Sequence, residues 1–173
     1  MLYPGFGIAP AKDVDETYPD TLAPEEVPAY LSRAKAAAYA ADLSDDEILV
    51  TADTVVICDG EILGKPHGGR QAAIDMLRKL SGKSHTVVTG VTLTHRGRST
   101  TFSDSTEVRF DLLTDDMIKF YVDTCKPYDK AGAYGIQEWI GGAAISGING
   151  CFYNVMGLPL HALYLHLRPL LAE

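Results

Sequence analysis

Asp53 is the residue best placed by its neighbours to do chemistry. It stands in Leu49-Val50-Thr51-Ala52-Asp53-Thr54-Val55-Val56-Ile57, a run otherwise apolar or β-branched. A carboxylate buried in such a run is costly unless it is paired, hydrogen-bonded or metal-bound, and costs of that kind concentrate at functional sites. A functional site is one reading of it. The plainer reading is an acid at a kink or strand end, held by backbone amides. Four more residues could join it. Lys65 lies in Gly64-Lys65-Pro66, Lys35 in Arg33-Ala34-Lys35-Ala36, and Glu16 in Asp13-Val14-Asp15-Glu16. Gln137 ends Asp129-Lys130-Ala131-Gly132-Ala133-Tyr134-Gly135-Ile136-Gln137, where glycines let backbone approach a ligand. Its amide both donates and accepts, which suits the edge of a flat polar ring. Taken singly, these four read as a solvated turn, a surface helix lysine, an acidic loop and a hairpin glutamine. Met156-Gly157-Leu158-Pro159 reads as a structural helix start without chemistry.

The elements that must hold these residues follow from periodicity. A helix is expected from Pro24 or Pro28 to Ala41, with Val27, Leu31, Ala34 and Ala38 on one face. Pro suits its first turn, and Glu25 and Glu26 suit the positive end of the dipole. Ile48–Cys58 is apolar on both faces and reads as a central strand. Asp59-Gly60 is a two-residue hairpin signal, with Glu61–Leu63 returning. Arg70–Leu80 is helical and stops at Ser81-Gly82. Thr86–Thr94 and Ser99–Phe110 read as strands joined at Arg96-Gly97. Thr114 caps a helix through Ile118, Tyr121 and Val122. The glycine-rich stretch 126–157 reads as strands and loops around a site. Pro159 opens a last helix that ends near Pro169. Helices mixed with strands give an α/β or α+β class with a mixed sheet.

Composition narrows the function classes. The chain has 173 residues, 46% of them hydrophobic and 22% charged, which suits one domain spanning 1–173. A net charge of −8 argues against nucleic-acid binding. It leaves room for a small anion held by a few lysines and a divalent metal. Three cysteines without metal or disulfide spacing fit a reducing compartment, hence the cytoplasm. No apolar run approaches the ~18 residues of a membrane span, and Met1–Pro10 lacks the basic start of a signal peptide. Phosphate-loop, dinucleotide-fingerprint and zinc-protease motifs are absent.

The ordered set of segments carries more than any one of them. Asp13-Val-Asp-Glu16, Arg33-Ala-Lys-Ala36, Thr51-Ala-Asp-Thr-Val-Val56 and Ile62-Leu-Gly-Lys-Pro66 are followed by Leu80-Ser-Gly-Lys-Ser-His85 and Thr89-Gly-Val91. Asp129-Lys-Ala-Gly-Ala-Tyr-Gly-Ile-Gln137 and Asn154-Val-Met-Gly-Leu-Pro159 complete the series. Over roughly residues 13–165 the sequence resembles the Maf family of nucleoside-triphosphate pyrophosphatases. The resemblance implies a two-lobed α/β fold with a mixed sheet and a cleft, similar to inosine-triphosphate pyrophosphatases. It also implies Mg²⁺ or Mn²⁺ as cofactor, a homodimer, and release of pyrophosphate and nucleoside monophosphate from nucleoside triphosphates. By the same resemblance Asp53 is the proton acceptor and a metal ligand, Glu16 assists with the metal, and Lys35 and Lys65 bind phosphates. Thr54 and Gln137 set specificity. Threonine with glutamine is similar to the subgroup acting on dTTP and UTP, whereas a sister subgroup acting on methylated GTP carries glutamine and glutamate there.

The sequence departs from the family at one point. It contains no Ser-x-Ser-Pro-Arg-Arg segment, which in the family follows an opening strand and binds phosphate. Its absence implies an incomplete N-terminus with an unpaired sheet edge. The alternative function is then a catalytically weak or inactive relative that binds nucleotide or acts in cell division.

Overall fold

The computed structural model describes residues 5–171. Strand β1 (Leu49–Cys58) turns at Asp59-Gly60 into β2 (Glu61–Leu63), and β3 (Ser84–His95) turns at Arg96-Gly97 into β4 (Arg98–Phe110). Strand β5 is Ile145–Asn149. The helices are α1 (Val27–Tyr39), α2 (Gly69–Leu80), α3 (Asp115–Cys125), α4 (Trp139–Ala144), α5 (Phe152–Val155) and α6 (Leu160–Leu170). Both hairpin turns hold two successive residues at positive φ, 53° and 80° in the first and 47° and 71° in the second. That is the twist a two-residue hairpin requires.

The strands form one sheet in the order β2-β1-β3-β4-β5, and every pairing is antiparallel. The α/β class stands, but the mixed sheet is not found among the described strands. The connections explain this. After β1 the chain reverses through β2, and α2 carries it back to the end of β1, so β3 enters beside Ile57 and runs the opposite way. A second correction concerns 126–157, which holds one strand and two short helices, α4 and α5, rather than several strands.

The core divides across the sheet. On one face Val56, Cys58, Val87, Val108 and Phe110 pack on α2, α3 and α4. On the other, Val27 and Leu31 of α1 meet Val55, Ile57 and Val88. At the far end Val91 and Leu93 cover Leu163 of α6. Helix α1 lies very close to β3. A Cβ on Gly90 would stand 2.3 Å from the Ala29 nitrogen, so only glycine lets the helix settle there. The Ser32 and Thr92 hydroxyls, 2.8 Å apart, and a Thr51 hydroxyl donating to the Ser32 carbonyl at 2.8 Å, then fix its register on β1 and β3.

Strand β2 is short and pairs only with Val56, Ile57 and Cys58. From Leu49 to Val55 the outer edge of β1 carries no strand among the described residues. β1 is therefore a central strand over only part of its length.

Candidate active site

Asp53 lies in that open half of β1, opposite Gly90 of β3. Successive side chains on a strand point to opposite faces. Asp53 therefore faces α1 with Thr51, and Thr54 faces the other way. Lys35 stands one helical turn beyond Ser32, so the docking of Ser32 aims it at Asp53. Its Nζ donates to Asp53 Oδ1 at 2.5 Å and lies 3.2 Å from Glu16 Oε1. The side chains of Asp53, Lys35 and Glu16 are 14%, 24% and 52% exposed, so the triad runs from the strand outward to solvent.

Burial raises the Asp53 carboxyl pKa, and the hydrogen bond and charge of Lys35 pull it back only in part. At Lys35 burial works against the ammonium, but Asp53 and then Glu16 outweigh it and hold its pKa above the usual value. The result is a carboxylate more basic than a free aspartate beside a fixed cation. Such a carboxylate is better matched to taking a proton near neutral pH than an ordinary one.

A cleft of about 790 Å³ opens here, lined by Asp53, Thr54, Glu16, Lys65 and Gln137 among others. Lys65 follows β2, makes no ion pair with the described residues, and places its charge on both Asp53 and Asp129. Lys35 does not line the cleft. It reaches it through the two carboxylates and borders a neighbouring cavity of about 660 Å³ along the open edge of β1. On the other face the Thr54 hydroxyl lies 2.8 Å from that of Thr89 and 3.5 Å from the Gly157 carbonyl. Gln137 is exposed, and its amide bonds none of the described residues. It follows a tight 3₁₀ turn at Ala131–Ala133 and does not sit on a hairpin.

Three contributors went unread in the sequence. Met156 and Gly157 line the cleft, so that segment is not purely structural. Buried Asn154 sets them there by donating to the Val87 carbonyl and the Thr106 hydroxyl at 3.1 and 2.9 Å. Lys130 lines the cleft as well. Its only sequence signal was its place inside the quoted glycine-rich segment.

A divalent metal fits two of these side chains. Asp53 and Glu16 already converge on one cation, the Lys35 ammonium. Among the described residues no group of three or more His, Cys, Asp or Glu gathers. Magnesium commonly takes one or two carboxylates and completes its shell with water and phosphate oxygens.

Comparison with known proteins identifies the family. A family model described as Maf-like protein matches residues 4–170. The chain belongs to the Maf family. The dTTP/UTP pyrophosphatase of Bacteroides fragilis is 54% identical over 158 residues, covering 91% of this chain and 81% of that protein. The protein of the same name from Bacteroides thetaiotaomicron is 52% identical over the same shares. A dTTP/UTP pyrophosphatase of Cytophaga hutchinsonii is 48% identical, covering 88% of this chain and 69% of its own length.

Proposed function

We propose that this Maf family chain hydrolyses nucleoside triphosphates, dTTP and UTP foremost, to nucleoside monophosphate and pyrophosphate. The observation that carries the reading is the Asp53–Lys35–Glu16 constellation at the mouth of a cleft large enough for a nucleotide. Relatives at 54% and 52% identity bear the name dTTP/UTP pyrophosphatase.

In this reading Asp53 accepts a proton from water, and the water oxygen bonds to the α-phosphorus. The bond from that phosphorus to the bridging oxygen breaks, and pyrophosphate leaves with the electron pair. Lys35 keeps Asp53 ionised and adds positive potential. Lys65, unpaired and facing the cleft, meets the phosphates, where fixed positive charge stabilises charge that develops in the transition state. Glu16 and Asp53 would hold Mg²⁺ or Mn²⁺, and such an ion would lower the pKa of bound water and offset phosphate charge. Thr54 and Gln137, beyond the strand from Lys35, read the base. The Gln137 amide can pair with the carbonyl and N–H edge of uracil or thymine.

The reading takes residues 1–173 as one domain acting as a homodimer in the cytoplasm. The three cysteines are free, as a reducing compartment would leave them. No helix among the described residues is long and apolar enough to cross a membrane. Sedimentation checks the dimer.

The test of the activity is pyrophosphate release from a panel of nucleoside triphosphates with Mg²⁺ or Mn²⁺. Release greatest from dTTP and UTP, and reduced about 10³-fold in Asp53→Asn with an unchanged melting profile, is the expected result. No release from folded parent chain would overturn it in favour of a binding-only relative.

A further inference from the structure

We propose that Lys130 is a third cation for the triphosphate, set in the lining of the cleft that also holds Asp53, and that Glu138 and Tyr121 position it. The inference deepens the pyrophosphatase reading and rests on it.

The arrangement is built from three elements. Tyr121, fully buried on α3, donates its hydroxyl to Glu138 Oε2 and accepts the Gly135 N–H at 3.0 Å. Glu138 Oε1 lies 3.4 Å from Lys130 Nζ, and Asp129 Oδ1 lies 2.9 Å from it. One glutamate thus ties a core tyrosine to a lysine in the cleft wall. Gly135 makes the room. A Cβ there would stand 3.0 Å from Glu138 Cδ and 3.1 Å from Lys130 Cε, so a larger residue would push the pair apart. Burial disfavours the Lys130 ammonium, yet its bonds to Asp129 and Glu138 prevail and keep it charged.

Placement points to phosphate and not to the base. The Gly132 N–H donates to the Gly64 carbonyl at 3.1 Å, which brings the 129–133 segment against the residue preceding Lys65. Lys65 in turn acts on the charge of Asp129. Lys65 and Lys130 therefore flank one end of the cleft. Of Lys130's two partners, Glu138 is 22% exposed and fixed by Tyr121, whereas Asp129 is 78% exposed and, besides a bond to its own backbone and the charge of Lys65, is paired among the described residues with Lys130 alone. An arriving phosphate oxygen can take the place of Asp129 without disturbing Glu138. A hydrogen bond between two charged groups of this kind is stronger than a neutral one.

The experiment compares the parent chain with Lys130→Gln, Lys130→Arg and Tyr121→Phe, alone and combined. Expected for Lys130→Gln is a KM for dTTP and UTP raised about tenfold or more. The rise is equal for both nucleotides, so preference over CTP is unchanged, and Lys130→Arg recovers most of the loss. Titration calorimetry with Mg²⁺ and inorganic pyrophosphate shows a matching loss of affinity without needing turnover. Tyr121→Phe raises KM in the parent background and adds nothing to Lys130→Gln, which a merely structural role would not produce. If the parent chain is active and Lys130→Gln keeps its KM and pyrophosphate affinity, the Lys130 assignment is wrong while the hydrolase reading stands. A changed nucleotide preference would also overturn it, by moving Lys130 to the base. If the parent releases no pyrophosphate, the hydrolase reading fails, and calorimetry still decides whether Lys130 binds phosphate.

Discussion

At Val56 and Ile57 strand β1 has β2 on one edge and β3 on the other, and both side chains are buried. From Leu49 to Val55 it has β3 alone, and only Thr51 and Val55 are buried. The local sequence hardly distinguishes the two halves, since both are β-branched and apolar apart from Asp53. The neighbours distinguish them. Where β2 stops, ligand and water can reach the strand, and a carboxylate becomes tolerable. The same backbone is core for one half and lining of the cleft for the other.

The sharpest way to break this comparison is to move the acid. Ile57 faces α1 exactly as Asp53 does in strand parity but sits between Ile62 and Thr86 in the flanked half. It is 7% exposed and packs with Val27, Leu31, Val55 and Val88. Ile57→Asp would bury an unpaired carboxylate and remove a core side chain. The expected cost is about 4 kcal/mol or more, a large part of the ~5–15 kcal/mol that holds a domain together. Urea denaturation at neutral pH measures it. A cost near 1 kcal/mol would mean that the two halves do not differ in dielectric environment.

What the sequence shows and what it hides divide along similar lines. The Asp59-Gly60 and Arg96-Gly97 turns, the Thr114 cap accepting from the Met117 N–H, and the span of α1 were all legible because each depends on neighbours in sequence. Asp53 was legible because an acid among β-branched residues is anomalous in its own context. Lys35 was not, since a helix lysine looks solvated until Gly90 allows α1 onto β3. The sheet direction was misjudged because periodicity says nothing about how α2 returns the chain. The 126–157 stretch was misread as strands because its glycines looked like turn punctuation. Gly135 instead serves a close approach between side chains. The family resemblance is what singled out Lys35, Lys65 and Gln137 as candidates, and it was silent on Tyr121 and Glu138.

The two regions also carry opposite responses to the same desolvation. At the open half, burial raises an acid that keeps a cation beside it. In the flanked region His85, at the start of β3, has no charged partner among the described residues, and burial lowers its pKa to about 4. Its Nε2 lies 2.7 Å from the Tyr134 hydroxyl, and its Nδ1 has no partner among the described residues. Above the ordinary histidine pKa of about 6.5, folded and unfolded chains both hold it neutral. Between there and about pH 4 the unfolded chain takes up a proton that the folded chain refuses, so stability falls as pH falls. The loss attributable to His85 is about 3 kcal/mol across that window. His85→Gln, whose amide can still reach Tyr134, removes this term. The stability gap between parent and variant should therefore shift by that amount, in the variant's favour, when urea unfolding is compared at pH 7 and pH 4. A constant gap would show that His85 is not held neutral by its surroundings.

The smallest effect is expected where the two regions touch, at Thr54, which shares the open half with Asp53 but faces the other way. Its hydroxyl meets Thr89 at 2.8 Å, and Thr89 keeps a second bond to the Asn154 carbonyl at 3.2 Å. Thr54→Val keeps the shape and leaves Thr89 partnered, so the loss in stability should be about 1 kcal/mol or less. The hydroxyl removed lies toward Gly157, on the wall that carries Met156. Preference between dTTP and the purine triphosphates should therefore change by about three- to tenfold in kcat/KM, while kcat for the best substrate stays within about twofold. That split follows from strand parity alone, because Asp53 and Lys35 lie on the α1 side of β1. Should kcat instead fall as far as it does in Asp53→Asn, the faces of the strand would not divide proton transfer from base recognition. Thr54 would then belong with the acid one residue before it.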